Sequence, residues 1–178
     1  MDLTAPSLPV PDFVLLPGCT VTLQIGHPQL LRQVRLAAKH RNFVWVRRDH
    51  PGAQMGCLAE VRSVTRNATG YAVHLIGLQR FRSFMEMHTD HGVLAVGHLA
   101  EQSAWQGELP ELAELPDLVA ELKGKVAPEL WLDMAAFHLP IGVDDKQALL
   151  AQVDPNRRAQ YLVECRPVAR PKLTYCSN

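Results

Sequence analysis

Apolar and polar side chains alternate along the first 107 residues wherever a run is long enough to test. Between residues 19 and 25 every second residue is apolar, and the residues between them are threonine or glutamine. A period of two places neighbouring side chains on opposite faces of an extended chain, so the pattern is typical of a half-buried β-strand. The first part of the chain therefore needs a partner layer against which one face of a sheet is buried.

Several segments of this kind, separated by turn signals, predict six or seven strands. They span residues 19–25, 43–46, 57–65, 71–78, 80–88 and 93–99. Short strands at this spacing favour a small barrel or sandwich over a parallel sheet with crossover helices. A glycine inside a strand marks a bulge or a tight bend, and we expect one at Gly77.

One helix is inserted among the strands. It begins at Pro28, because proline is favoured at the first helical position. Apolar residues at helical spacing are predicted to face the core, namely Leu30, Leu31, Val34, Ala37 and Ala38. The opposite side carries Arg32, Arg35 and Lys39, which we call the basic ridge. We expect this ridge to be a solvated helix face.

After residue 107 leucine, alanine, glutamate and lysine dominate, which favours helices. Four are predicted, over residues 118–126, 128–139, 146–153 and 155–164. Asp144 with Gln147 resembles a capping box for the third, and Asp154 before Pro155 is an N-cap for the fourth. The prolines at 167 and 171 predict an extended or disordered end.

The charge balance and the N-terminal sequence limit the class of protein. Lys+Arg and Asp+Glu both number 18, whereas a dedicated duplex-DNA binder normally has a basic excess for phosphate contacts. The acidic start, interrupted by prolines, is unlike a signal peptide, and no apolar run approaches the roughly 18 residues of a membrane helix. We therefore expect a cytoplasmic protein without a membrane partner.

Motifs for catalysis, cofactors or metals are missing. The sequence contains no G-x-x-x-x-G-K-[ST], no G-x-S-x-G and no C-x-x-C, which argues against the corresponding enzyme and metal classes. His88, His91 and His98 lie near one turn and are expected to be surface residues. Free thiols are expected at Cys19, Cys57, Cys165 and Cys176. We predict no enzyme, and a hydrolase site assembled from scattered residues is the weakest alternative.

Some apolar and aromatic residues have no obvious place in the predicted core and are candidates for binding polypeptides. They are Leu15, Leu16, Phe84, Met85, Met87 and Trp105. Met85 and Met87 share one face of a strand, and flexible thioethers suit a surface that binds varied partners. A plain core stripe is the alternative interpretation.

Several local motifs are shared with a known family. They are LLPG at residues 15–18 followed by LQI at 23–25, GCLAEV at 56–61, LIGLQRFR at 75–82, and the run at 139–158. In these motifs and in their order, the chain resembles the N-terminal substrate-binding domain of Lon-type proteases over most of its length.

The resemblance implies an α+β chain with three parts. These are a PUA-like, mostly antiparallel β-barrel with one inserted helix over residues 6–107, a helical subdomain over 108–166, and an extended tail over 167–178. It implies binding of unfolded or damaged polypeptides in protein quality control, with a protease or chaperone as a further candidate partner. The ATPase and peptidase parts that follow this region in Lon are not found in the sequence, so we expect a stand-alone, non-catalytic binding domain.

RNA binding is the alternative function, because PUA-like barrels are also used for RNA. The basic ridge, with Arg41, Arg47 and Arg48 nearby, offers cations for a phosphate backbone. The balanced overall charge argues against nucleic acid as the partner. Steep weakening of binding by salt would favour RNA, and salt-tolerant binding would favour apolar capture of polypeptides.

Overall fold

The computed structural model describes residues 2–50, 52–165 and 167–168. In these residues the strands are β1 Leu3–Val10, β2 Thr20–Ile25, β3 Phe43–Arg48, β4 Met55–Asn67, β5 Gly70–Thr89 and β6 Gly92–Leu99. The helices are α1 Pro28–Ala37, α2 Asp117–Glu121, α3 Pro128–His138, α4 Val143–Ala151 and α5 Pro155–Glu164. The predicted α+β class is confirmed. Residues 169–178 of the predicted tail, with Cys176, lie outside the described residues.

The strands form one mixed sheet in the order β2-β5-β4-β3-β1-β6. Only the β1–β3 pairing is parallel among the described strands, and the other pairings are antiparallel. Because β6 also pairs with β5, the pairings return on themselves through β5, β4, β3, β1 and β6. The barrel and the domain boundaries remain predictions, and this closed circuit of pairings supports the barrel.

Alternate residues of the strands pack into two apolar clusters. The smaller cluster takes one residue from each strand of the circuit: Ala5, Trp45, Leu58, Phe81 and Ala95. The larger cluster takes the opposite faces of several strands, for example Val44 and Val46 on either side of Trp45 in sequence. It also takes residues of α1, α3, α4 and α5, so the sheet and the later helices share one core.

Three elements differ from the sequence prediction. β1 was not predicted, and it contains prolines at 6 and 9, which are unusual inside a strand. The strand forms because Leu3–Pro6 pair only with β6 and Ser7–Val10 pair only with β3. Each half of β1 therefore has one side without a partner strand, and on that side the N–H that a proline lacks costs no hydrogen bond. The segments 71–78 and 80–88 are one long strand, and α2 ends at Glu121 rather than at residue 126.

Proline determines where some of the helices begin, but not where α4 begins. α1 begins at Pro28 and α5 at Pro155, as predicted, and the Asp154 carboxylate accepts a hydrogen bond of 2.9 Å from the Asn156 N–H. The capping box predicted for α4 is wrong, since Gly142 is the N-cap and has no side chain to accept a bond. Gln147 instead donates from Nε2 to the Met55 carbonyl at 3.1 Å, which ties α4 to β4.

A buried ion pair joins the sheet to the helices. Arg80 on β5 is fully buried and contacts Asp133 of α3 through both terminal nitrogens, at 2.7 and 2.5 Å. The acidic residues of the neighbouring strands, Glu60 and Glu86, are not its partners, because the side chain points under the helices. Arg80 Nε also donates to the Leu150 carbonyl at 2.9 Å.

Arg158 of α5 completes this cluster from the other side. Its Nε lies 3.6 Å from Asp133 Oδ1, and its terminal nitrogens donate to the Gln152 carbonyl and to Gln102 Oε1 at 3.0 and 2.8 Å. Burial lowers the pKa of Arg158 to about 10, so its guanidinium stays charged near neutral pH. Three helices and one strand are therefore held by one network of charges and carbonyls.

Thiols and apolar helices in the described part of the chain have ordinary structural roles. Cys19, Cys57 and Cys165 are free, and burial raises the pKa of Cys57 to about 12, so this thiol stays protonated. None of the helices among the described residues is long and apolar enough to cross a membrane.

The expected irregularity at Gly77 is confirmed. The β4–β5 register slips between the pairs Leu58↔Gln79 and Ala59↔Gly77. A Cβ at residue 77 would lie 2.4 Å from the Leu16 carbonyl oxygen, so the backbone of the β1–β2 connection packs directly on the strand.

Gly77→Ala is expected to lower the free energy of unfolding by about 1–3 kcal/mol, because the backbone of Leu16 must move. Urea denaturation measures the change. Gly107→Ala is the matched control, since its Cβ would meet nothing closer than 3.4 Å. Equal effects for the two variants would contradict the close approach at Gly77.

Asp133→Asn is expected to lower the free energy of unfolding by about 3–5 kcal/mol, because it leaves two buried guanidinium groups without their counter-charge. Asp144→Asn is the control, since Asp144 pairs with Arg48 but its side chain is 87% exposed. The control should change stability by less than about 1 kcal/mol. Similar losses for both variants would show that the buried cluster contributes no more to the free energy of unfolding than an exposed ion pair does.

Candidate polypeptide-binding surface

Three large apolar side chains are exposed together on the second half of β5. Phe84, Met85 and Met87 have exposed fractions of 55%, 48% and 37%. We call these three residues the β5 patch. A contiguous apolar patch on a protein surface often has a binding role. The exposure of Met85 and Met87 argues against the core stripe that was the alternative interpretation, and the binding role of the three residues remains a prediction.

A bulge in β5 fixes how the patch is presented. Ser83 pairs with Gly97 and Met85 with Val96, so Phe84 is an extra residue without a partner on β6. The Ser83 hydroxyl lies 3.1 Å from the Met85 carbonyl and 3.3 Å from the Val96 carbonyl, within the reach of its single donor. Phe84 stacks on His98 at 6.4 Å between ring centroids. The patch is therefore held by a hydrogen-bonded strand rather than by a loose loop.

A groove lies beside the patch, with a cavity volume of about 460 Å³. We call it the β5 groove. Its lining residues come from β3, the β3–β4 connection and β5, and include Trp45, Arg47, Gln54, Phe84, Met85 and Glu86. Because Trp45 and Arg47 are two residues apart on β3, they share one face of the strand.

Charges in the β5 groove are paired with one another. Arg47 Nε lies 3.3 Å from Glu86 Oε1, and the Ser7 hydroxyl donates to the same oxygen at 2.7 Å. The Arg47 guanidinium also lies over the Trp45 ring, 5.7 Å from its centroid. The groove thus combines apolar walls with neutralised charges, which suits an extended apolar chain better than a strongly charged ligand.

The structure corrects the expectation for Leu15 and Leu16. Their side chains are 1% and 0% exposed and belong to the larger core cluster. The β1–β2 connection turns inward because Gly77 lets the Leu16 backbone approach β5 closely. These two leucines therefore form part of the core and are unavailable to a partner in this structure.

Trp105 is half-buried, and it packs at the margin of the larger cluster rather than beside the β5 patch. Its neighbourhood is fastened to α5, since the Gln106 N–H donates to Asn156 Oδ1 at 3.0 Å and Asn156 Nδ2 donates to the Ala104 carbonyl at 3.1 Å. Trp105 does not line the β5 groove.

The basic ridge is exposed along its whole length. Arg32, Arg35 and Lys39 form no ion pair with any residue that the structure describes, and Arg35 lies over the Tyr71 ring at 5.9 Å. Lys39 also borders a cavity of about 680 Å³ with apolar walls that include Phe43 and Leu99. The ridge agrees with a solvated helix face and leaves its cations open to an anionic partner.

Metal and cofactor ligands are not assembled within the described residues. His88, His91 and His98 are all exposed, as predicted. In the part of the chain that the structure describes, no group of three or more histidine, cysteine, aspartate or glutamate side chains is placed to hold a metal ion.

Sequence reasoning missed the groove itself. Trp45, Arg47 and Glu86 come from strands about 40 residues apart, and their meeting depends on the register of β5 against its neighbours. The i, i+2 spacing of Trp45 and Arg47 was the one local signal that these two share a face.

Met85→Ala is expected to change the free energy of unfolding by less than about 0.5 kcal/mol, because the side chain is half exposed. Leu16→Ala is expected to lower it by about 2–5 kcal/mol, since it leaves a cavity in the core. Chemical denaturation of both variants checks the difference. A loss at Met85 as large as the loss at Leu16 would place Met85 in the core.

Comparison with known proteins supports the same fold. A Lon N-terminal domain protein from Xanthomonas campestris matches with a TM-score of 0.66 at 24% identity, over 90% of this chain and 97% of that chain. The N-terminal domain of the Mycobacterium avium complex Lon protease matches with a TM-score of 0.68 at 20% identity, over 90% of this chain and 96% of that chain.

The sequence comparison gives a related result. The Lon protease of Escherichia coli K12 is 24% identical over an alignment that covers 89% of this chain and 24% of the protease. The chain thus spans about a quarter of the length of the Lon proteases it matches. No family model matches the sequence. Together with the topology, these matches confirm the resemblance found in the sequence, and the chain has the fold of a Lon N-terminal domain.

Proposed function

We propose that this protein binds unfolded or damaged polypeptides through the β5 patch and the β5 groove. The observation that carries the proposal is the joint exposure of Phe84, Met85 and Met87 on a hydrogen-bonded strand beside a groove. The similarity to Lon N-terminal domains supports a substrate-binding role. The role is non-catalytic and belongs to protein quality control in the cytoplasm, on a PUA-like barrel with its helical subdomain.

The physical basis is apolar burial with little sequence selectivity. Covering an exposed methionine or phenylalanine contributes about 1.5–3 kcal/mol when the side chain is fully buried. The bound chain loses conformational entropy, which offsets much of this gain. A Kd of 1 μM needs about 8.2 kcal/mol, so a patch of three such side chains is expected to bind more weakly than micromolar. Methionines adapt their rotamers to different partners, which favours many clients over one.

RNA binding through the basic ridge is the second candidate. The observation in its favour is that Arg32, Arg35 and Lys39 are exposed without ion-pair partners among the described residues. Phosphate contacts of this kind weaken steeply as salt rises, whereas apolar contacts do not. Salt dependence therefore separates the two functions.

The test is a fluorescence-anisotropy titration with a labelled, permanently unfolded polypeptide at low and high salt. Replacing Phe84, Met85 and Met87 together by serine is expected to weaken binding at least about tenfold, because the loss of apolar area exceeds 1.4 kcal/mol. The matched control replaces Leu118 and Val163 by serine, since these residues are 71% and 62% exposed elsewhere on the chain. The control should bind like the wild type.

The same titration with a labelled single-stranded RNA tests the alternative. Salt-tolerant binding of the polypeptide that depends on the β5 patch supports the proposal. Binding of RNA alone, lost at high salt and lost when Arg32, Arg35 and Lys39 are replaced by alanine, would establish the alternative instead. Polypeptide binding that is equally strong in the serine variant would move the site away from β5.

A further inference from the structure

The two arms of the β5–β6 hairpin differ in how their outer edges are covered. The outer edge of β6 pairs with β1, including Ala5↔Ala95. Closer to the turn, the buried Gln33 of α1 takes the place of a strand. In the amide orientation that matches its partners, it donates to the Val93 carbonyl at 3.2 Å and accepts from the Val93 N–H at 2.8 Å. The outer edge of β6 is thus covered by β1 and, next to the turn, by the side chain of Gln33.

The outer edge of β5 is open over the same length. Its pairing with β4 ends at Met55↔Arg82, and the Ser83 N–H then donates to the Gln54 carbonyl at 2.9 Å. Beyond that bond, residues 84–89 pair only with β6 among the described strands. This open stretch contains the β5 patch.

The register shows which backbone groups face outward. Val93 pairs with His88, but its N–H and carbonyl are bonded to Gln33, on the side away from β5. In an antiparallel ladder both members of such a pair point away from each other. The N–H and carbonyl of His88 therefore face the open edge of β5. The same holds two residues earlier at Glu86, whose partner Ala95 faces β1.

An open edge beside apolar side chains is a template for pairing with another chain, and proteins normally cover or charge it. Here α1 covers one arm of the hairpin and nothing described covers the other. The acidic side chain on the open stretch, Glu86, is already neutralised by Arg47 at 3.3 Å. The edge is thus matched in charge to an uncharged extended segment, whose alternate apolar side chains reach Met85 and Met87.

We infer that unfolded polypeptides bind to β5 by strand addition, through backbone hydrogen bonds to Glu86 and His88. This inference rests on the proposed function and specifies how the same surface recognises its clients. The occupant is an uncharged, extended segment of an unfolded chain. Recognition by main-chain hydrogen bonds with side-chain contacts at alternate positions is a known mode of peptide binding.

The first test uses a short fluorescein-labelled peptide of alternating leucine and serine and two N-methylated versions of it. One version carries four N-methyl groups on consecutive residues, which blocks both edges of the extended peptide. The other carries four on alternate residues, which leaves one edge intact. We expect the first to bind at least about tenfold more weakly than the unmodified peptide and the second to bind within about threefold of it.

The second test changes the protein at His88, which is exposed. His88→Pro removes the outward N–H, and proline is tolerated where the N–H faces an open edge. This variant should bind the unmodified peptide about tenfold more weakly, and consecutive N-methylation should then have little further effect. His88→Thr keeps the N–H, so it should weaken binding much less than His88→Pro does. Circular dichroism confirms that both variants fold, and the peptide series remains decisive if His88→Pro does not.

Three results would overturn the inference. Equal binding of all three peptides would show capture by side chains alone, and the proposed function would stand without strand addition. A failure of the unmodified peptide to bind would remove the proposed function as well. A wild-type dimer in sedimentation that His88→Pro converts to a monomer, with peptide binding unchanged, would assign the edge to a second copy of this chain.

Discussion

The buried pair of Arg80 and Asp133 is the interaction on which the rest of the structure depends. Removing two charges from water is costly, and the pair is stable only because its remaining donors and acceptors are satisfied. The carbonyls of Leu149 and Leu150 and the guanidinium of Arg158 supply those partners. One position in β5 thereby fixes α3, α4 and α5, and it also fixes the point at which β5 leaves the shared core.

That point divides β5 into two parts with different roles. Before residue 83 the strand pairs with β4 over its whole length and with β2 over residues 71–76. After residue 83 it pairs only with β6 among the described strands, and its side chains become exposed. The exposed part is already hydrogen-bonded to β6 as a strand, so a partner that binds there does not have to order it first.

The sequence predicted the parts of the fold that depend on local patterns. Alternation located most strands, and proline located the starts of α1, α3 and α5. It failed where distant residues decide the outcome. β1 forms despite its prolines because two separate strands receive its two halves, and Leu15 and Leu16 are buried because Gly77 admits their backbone. The partner of Arg80 lies 53 residues away, and no local pattern identifies it.

The candidate site shows the same division. The sequence marked Phe84, Met85 and Met87 as candidates but left a core stripe as the alternative for the two methionines, and the groove and the open edge depend on register. The two candidate surfaces favour different partners. The basic ridge favours a negatively charged partner, whereas β5 offers apolar area and backbone groups. Every polypeptide carries the same backbone groups whatever its sequence, so an edge that uses them recognises the unfolded state rather than a particular chain. A folded protein has already paired those groups internally, so the proposed strand addition would let β5 discriminate between folded and unfolded forms of the same protein.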